Sequence, residues 1–210
     1  MKQNKIIWLV FVLALVGLIL YFATQKNVGA KGGKAYGGTL SISSKNKALS
    51  LYPLANNTLE AQRLQQLIFE PILKPAQNER GWRYCLASKV RLNAKRNQVI
   101  IRLKKNIHFT DNPCFRFHSA ELTAEDVAFS LSLACSQQDN VQQELILPRL
   151  IVGGTKFFDK HQDPTKASVK GIRVLDKHTL KIELTGAYNH FLSLLTSPSL
   201  SILSKQAAKF

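Results

Sequence analysis

The residues of this chain that could hold a metal or carry redox or nucleophilic chemistry are five histidines (His108, His118, His161, His178, His190) and three cysteines (Cys85, Cys114, Cys135). No two histidines stand four apart, the spacing that aims two rings from one helix at one ion. The cysteine spacing fits no zinc or haem pattern either. His108 and His118 flank Cys114 and could converge on an ion with it, but an ordinary loop is the reading the spacing favours, and no metal site is expected. Ser44-Lys45-Asn46-Lys47 fits the Ser-x-x-Lys pattern of penicillin-recognising enzymes, without the further motifs that give that pattern meaning. Gly153-Gly154-Thr155-Lys156 lacks the first glycine and the preceding strand of a phosphate-binding loop, and reads as a turn. No acid–base pair and no nucleophile with its base emerges. No catalytic role and no cofactor are expected.

Composition and targeting narrow the setting. With 210 residues and a hydrophobic fraction of 45%, the chain can build an ordinary core. Ile6 to Ala23 runs without a charge, close to the roughly 20 residues a helix needs to cross a bilayer. Lys2 and Lys5 precede it, so the N-terminus is expected in the cytoplasm and the rest outside. The length of the apolar run favours an uncleaved anchor, whereas Val28-Gly29-Ala30 resembles a small-residue cleavage site, and both outcomes stay open. No cysteine follows closely enough for lipoprotein processing. The net charge of +16 is spread along the exported part with no long basic run and no aromatic interleaving, and so reads as a basic solvated surface rather than a nucleic-acid platform. An oxidising compartment permits one disulfide among the three cysteines, its partners undetermined.

The exported part reads as mixed α and β with hairpins. Residues 25–38, rich in Gly, Lys and Ala, form a flexible linker. Thr39 to Ser43 alternates as a strand. Ala61, Leu64, Leu67 and Ile68 mark one face of a helix over Leu59–Phe69, ended by Pro71. Strands over Lys89–Leu92 and Gln98–Leu103 flank the polar turn Asn93–Asn97. Thr110–Ser119 is an irregular loop. Thr123, Glu125 and Asp126 start a helix by capping and by placing charge against its dipole, with Val127, Leu131 and Ala134 facing inward. Gln137–Lys166 is more polar, with a turn at Gly153-Gly154. Strands over Val169–Leu175 and Thr179–Leu184 make a second hairpin. A short helix over His190–Leu195 and an apolar strand or turn over Leu200–Leu203 follow.

The order of these motifs resembles the peptide/nickel-binding receptors of ABC importers, solute-binding family 5. Gly37-Gly38-Thr39-Leu40-Ser41-Ile42 looks like the family's first strand, and Leu49-Ser50-Leu51-Tyr52-Pro53 like its Leu-Asp-Pro-type loop. Gln66 to Leu73 is similar to its Ile-Tyr-Glu-x-Leu helix end, and Ile101 to Asp111 to its Phe-His-Asp-Gly strand and turn. Leu122-Thr123-Ala124-Glu125-Asp126-Val127-Ala128-Phe129-Ser130 is close to the hallmark Leu-Thr-Ala-Glu-Asp-Val-x-Phe-Ser. Asp111 to Phe115 resembles a subgroup with a Cys-containing loop. Val169–Asp176, Thr179–Leu184, Phe191–Leu195 and Ser201–Lys205 match the segments that follow. The resemblance covers Tyr36 to Phe210.

It implies a mixed α/β fold: the N-terminal lobe of a two-lobe periplasmic-binding-protein-like architecture, preceded by one transmembrane or signal helix. Expected boundaries are 1–24 for the anchor or signal, 25–38 for the linker and 39–210 for the lobe. Family members are longer and close two lobes on a solute. The chain stops before the second lobe, where the acidic residue that grips a peptide's N-terminus lies, and is therefore expected to be a fragment, a split product or a decayed copy. The implied function is extracytoplasmic delivery of a solute, foremost peptide, to ABC permease subunits, with periplasmic or cell-surface location at the membrane. The alternative is a membrane-tethered structural or interaction protein derived from such a receptor. The loop Ser44–Pro53 corresponds to a cleft-facing region, which makes Asn46, Leu51 and Tyr52 the candidate ligand-binding residues.

Overall fold

Gln98-Val99-Ile100-Ile101-Arg102-Leu103 alternates apolar with polar. A strand sends successive side chains to opposite faces, so this segment makes a sheet with one buried side. In the computed structural model, which describes residues 15–16, 51–54, 58–76, 81–115, 120–136, 146–187 and 190–209, Val99 and Ile101 are fully buried and Leu103 nearly so, while Ile100 and Arg102 face outward. We label the elements α1 (Leu59–Ile68), β1 (Leu73–Pro75), β2 (Trp82–Tyr84), β3 (Ala87–Leu92), β4 (Gln98–Leu103), α2 (Ala124–Ala134), α3 (Ile146–Leu150), α4 (Gly154–Asp159), β5 (Ile172–Asp176), β6 (Thr179–Glu183) and α5 (Phe191–Leu194). β3, β4, β6 and β5 form a four-stranded antiparallel sheet in that order, and β1 pairs with β2.

Both expected hairpins are present. In the first, the Asn93 side chain accepts from the backbone N–H groups of Asn97 (3.0 Å) and Gln98 (3.1 Å) and donates to Asn97 Oδ1 (2.7 Å). Arg96 turns the chain with φ 53°, a conformation this polar bracket holds in place. In the second, Asp176 Oδ1 accepts from the His178 N–H at 2.8 Å. β6 lies between β4 and β5 with Val99 opposite Ile182 and Ile101 opposite Leu180, so the apolar sides of the two hairpins merge into one core.

α2 packs on that buried side. The sequence predicts an inward stripe of Val127, Leu131 and Ala134; the helix is instead buried on nearly every side, with Glu125 its exposed residue in the first turns. Val127, Ala128 and Leu131 face the sheet core, whereas Phe129 and Leu133 pack with Leu54 in a second cluster joined by Tyr52 and Leu203. Its buried polar groups are bonded, as burial requires: Ser132 Oγ accepts from the Val169 N–H at 3.1 Å. That bond draws residue 169 out of the strand expected there, and β5 begins at Ile172.

The polar stretch after residue 136 hides two short helices. α3 and α4, with Ile151 between them, deliver Leu147, Ile151 and Phe157 to the core. Gly153-Gly154, read from sequence as a turn, caps and opens α4, Gly153 in the left-handed region at φ 79°. All three cysteines are free, Cys85 and Cys135 buried and Cys114 half-buried. The one disulfide that the compartment would permit is not formed, and burial pushes the Cys135 thiol up to about 12.

The chain divides into two units, Met1–Ser43 and Ser44–Phe210. In the first, Leu15 and Val16 are described, helical and about half exposed. The rest of the apolar run, the linker, the strand at residues 39–43, Asn46 and His118 lie outside the described residues. No helix among the described residues is long and apolar enough to cross a membrane.

Candidate functional site

The helical face expected on α1 is where sequence and structure part. Thr58 caps the helix, its hydroxyl accepting from the Ala61 N–H at 3.2 Å. The buried residues are then Ala61 and Gln65, while Leu67 is 64% and Ile68 55% exposed. Of the predicted face, Ala61 is therefore buried and Leu64 half-buried, while Leu67 and Ile68 do not enter the core. Leu67 and Ile68 form one wall of a hollow of 860 Å³, a size typical of ligand pockets.

Several further segments complete it. The chain leaving β4 supplies Ile107, His108, Phe109 and the 3-10 turn Pro113–Phe115. Phe109 and Phe115 stack there at 6.0 Å between centroids. Leu86 and Leu122 are buried residues that also line it. Residues 202–204 with Ala207 and Ala208 close the remaining side. Polar groups at the wall are Glu70, His108, Thr110, Asn112 and Ser204, so the hollow is mainly apolar with a few groups able to bond a solute.

That last wall is held by α2. Asp126, 7% exposed, accepts from Thr123 N (2.9 Å) and Thr123 Oγ1 (2.7 Å) through one oxygen and from Lys205 N (2.9 Å) through the other. One turn on, Ser130 Oγ accepts from the Leu203 N–H at 2.9 Å and lies 2.7 Å from the Asp126 carbonyl, to which it donates. Outside the buried part, Lys205 pairs with Glu125 at 3.0 Å. The motif that starts the helix is thus also the clamp on a wall some 80 residues away in sequence.

Of the three candidate binding residues, Tyr52 lines the hollow. Its carbonyl accepts from Gln65 Nε2 at 3.1 Å, and its side chain packs against the Leu54–Phe129–Leu133 cluster. Leu51 is 45% exposed beside it, outside the hollow's lining. Gln65 Oε1 and Ser201 Oγ are buried with no hydrogen-bond partner among the described residues. His108 and Cys114 both reach the hollow, yet among the described residues no group of three metal-ligating side chains comes together. Sequence reasoning missed Leu67, Ile68, Phe109 and Phe115 as site residues. The available signal was an apolar pair at the very end of a helix, just ahead of Phe69-Glu70-Pro71.

Behind the hollow, Glu121 ties several segments together. It accepts from Lys177 Nζ at 2.5 Å, lies 2.9 Å from His178 Nε2 and accepts from the Asn106 N–H at 3.3 Å. The Lys177 hydrogen bond first, then those of His178 and Asn106, lower its pKa from 4.5 to about 2. A carboxylate depressed by folding contributes stability that is present above pH 4.5 and lost as pH falls toward about 2. Accordingly Glu121→Gln should melt below the parent at neutral pH, and the gap should close as pH falls through that window. An NMR titration placing Glu121 at an ordinary carboxylate value would contradict the bonding described.

A family model for bacterial extracellular solute-binding proteins, family 5 (middle region), matches residues 82–210. No curated protein matches the chain. Solved structures share its fold. The periplasmic binding protein DppA from Helicobacter pylori, in complex with peptide STSA, superposes with a TM-score of 0.59 at 19% identity, over 76% of this chain and 29% of its own. A periplasmic oligopeptide-binding protein, OppAIV from Borrelia burgdorferi, gives 0.63 at 18% identity, over 76% and 30%. Listeria monocytogenes OppA bound to peptide gives 0.62 at 15% identity, over 76% and 29%. The chain thus spans about three-tenths of the length of these structures.

Proposed function

Because the chain belongs to the bacterial extracellular solute-binding proteins of family 5, we propose that it serves as part of the substrate-binding component of an ABC importer and that its solute is peptide. In this reading the lobe closes with a second one on the solute, and the loaded receptor docks on membrane permease subunits. The apolar segment 1–24 carries the lobe to the outer side of the membrane as anchor or signal, 25–38 is the linker, and 39–210 is the lobe. No bond is made or broken; the protein is a binder.

The observation that carries the reading is the hollow itself: apolar side chains of α1 and stacked phenylalanines, with a few hydrogen-bonding groups at the wall. An extended peptide offers matching chemistry, alternating side chains with a regular run of backbone donors and acceptors. Asn46, Leu51 and Tyr52 are proposed to face the solute from the loop beside it.

A ligand that binds only the native state stabilises it. A mixed tri- to pentapeptide pool should therefore raise the melting temperature of the protein. The expected rise is about 5–10 °C at a hundredfold excess over the dissociation constant, from ~2.7 kcal/mol of linkage at ~2–4 °C per kcal/mol. Leu51→Ala should leave the unliganded melt in place and shrink that rise. If saturating peptide gives no shift while the protein melts cooperatively, peptide binding by this chain is wrong, and the membrane-tethered interaction protein becomes the better reading.

A further inference from the structure

The cations of this chain look scattered in sequence, but the pleat of the sheet collects several of them. On its outer side, Arg91 of β3 stands opposite Ile100 of β4, which stands opposite Lys181 of β6, which stands opposite Arg173 of β5. The adjacent row places Lys89 opposite Arg102. Lys89, Arg91, Arg102 and Arg173 are exposed and Lys181 half-buried. Two carboxylates share this region. Glu183 is paired with Lys181 at 2.8 Å; that hydrogen bond, with the charges of Arg173 and Lys170 beside it, holds it below the usual range. Asp176 is held low by the His178 N–H and then by the Thr179 side chain, with Arg102 nearby. Five cations therefore face two carboxylates that already have partners.

Two cross-strand pairs, Lys89 with Arg102 and Arg173 with Lys181, set like charges directly opposite one another. Such pairs work against the sheet, and an anionic counterpart turns the same repulsion into attraction. The apolar residues of the region select which anion. Ile100 is 39% exposed in the middle of the basic row, and Leu175, at the irregularity in β5, is 54% exposed. Aliphatic side chains among cations suit an interface where charged headgroups meet acyl chains. A nucleic acid would instead call for aromatic stacking partners, and none of the outward positions named here is aromatic.

We propose that this outer sheet face rests on an anionic phospholipid surface through Lys89, Arg91, Arg102, Arg173 and Lys181, with Ile100 and Leu175 reaching into the interface. The proposal is independent of the solute reading, since the face belongs to the side of the sheet opposite the core.

The test uses the full chain reconstituted into vesicles of phosphatidylcholine alone or with phosphatidylglycerol, and follows lysine acylation by peptide mass mapping. With phosphatidylglycerol, Lys89 should react several-fold more slowly than in phosphatidylcholine while Lys156 is unchanged, and about 1 M salt should restore its rate by shortening the reach of the charges. Equal Lys89 rates in the two vesicles would overturn the proposal without any variant having to fold. A variant carrying Arg91→Glu, Arg102→Glu and Arg173→Glu should lose the protection. The same charge change placed elsewhere, as Arg63→Glu, Lys156→Glu and Lys160→Glu, should keep it. Equal loss in both would assign the effect to net charge and not to this face. Protection by soluble polyphosphate but not by phosphatidylglycerol would replace the lipid with a soluble polyanion and likewise overturn the assignment.

Discussion

Asp126→Ala is expected to destabilise the protein by about 3 kcal/mol, since each bond to a charged acceptor contributes ~1.5–3 kcal/mol and buried donors are left without partners. At ~2–4 °C per kcal/mol for a unit of this size, the melting temperature should fall about 6–12 °C. The carboxylate holds two backbone N–H groups, those of Thr123 and Lys205, and the Thr123 hydroxyl. The loss is not only of a helix cap, which by itself would cost about 1 kcal/mol. It also frees the segment that runs past Leu203 and Ser204 along the hollow. Amide hydrogen exchange should therefore speed up at Lys205 and Leu203 well before the sheet amides respond. Asp126→Asn keeps one acceptor oxygen and should recover part of the stability. A variant that loses no more than a cap, with tail exchange unchanged, would show that the clamp across the hollow wall does not operate. Peptide-dependent stabilisation should fall along with tail protection, because the same segment is a wall of the proposed binding site.

The second large effect is expected at Gly154. A Cβ there would lie 2.9 Å from both Cα and C of Pro148 and closer still to its carbonyl oxygen. These are backbone atoms of α3, and no rotamer change relieves them. Gly154→Ala should therefore cost about 3 kcal/mol, the upper end of ordinary overpacking, and lower the melting temperature by about 6–12 °C. The close approach exists because α3 and α4 must both reach the core, through Leu147 and Phe157. Gly186 offers a control of the same chemistry, since a Cβ there meets nothing within 4 Å, and Gly186→Ala should change the melt little. Equal melting of the two variants would mean that α3 and α4 are not packed as described.

Both positions show how far local sequence carries. The hairpins were legible because their information is local: alternation over six residues, an Asn-rich turn, an Asp two residues before the amide it bonds. The start of α2 was legible for the same reason, and the order of such segments was enough to place the chain in its family. What Asp126 and Ser130 do beyond the first turn was not legible, because their partners at Lys205 and Leu203 lie more than 70 residues further on. The face of α1 was read only in part: Ala61 is buried as expected, but Leu67 and Ile68, which satisfy the same helical periodicity, are exposed, and Gln65 is buried instead. Periodicity says that a helix is amphipathic, not which neighbour it meets.

The distribution of charge divides in the same way. Sequence alone determined that the chain is strongly basic, with cations scattered among strands and loops. Only the antiparallel register of β3, β4, β6 and β5 decided that Lys89, Arg91, Arg102, Arg173 and Lys181 share one surface. A strand's own residues set which of its side chains point the same way. Which strands stand beside it, and in what register, is set by the burial of Val99, Ile101, Leu180 and Ile182 on the opposite side, and that burial is a property of the whole core.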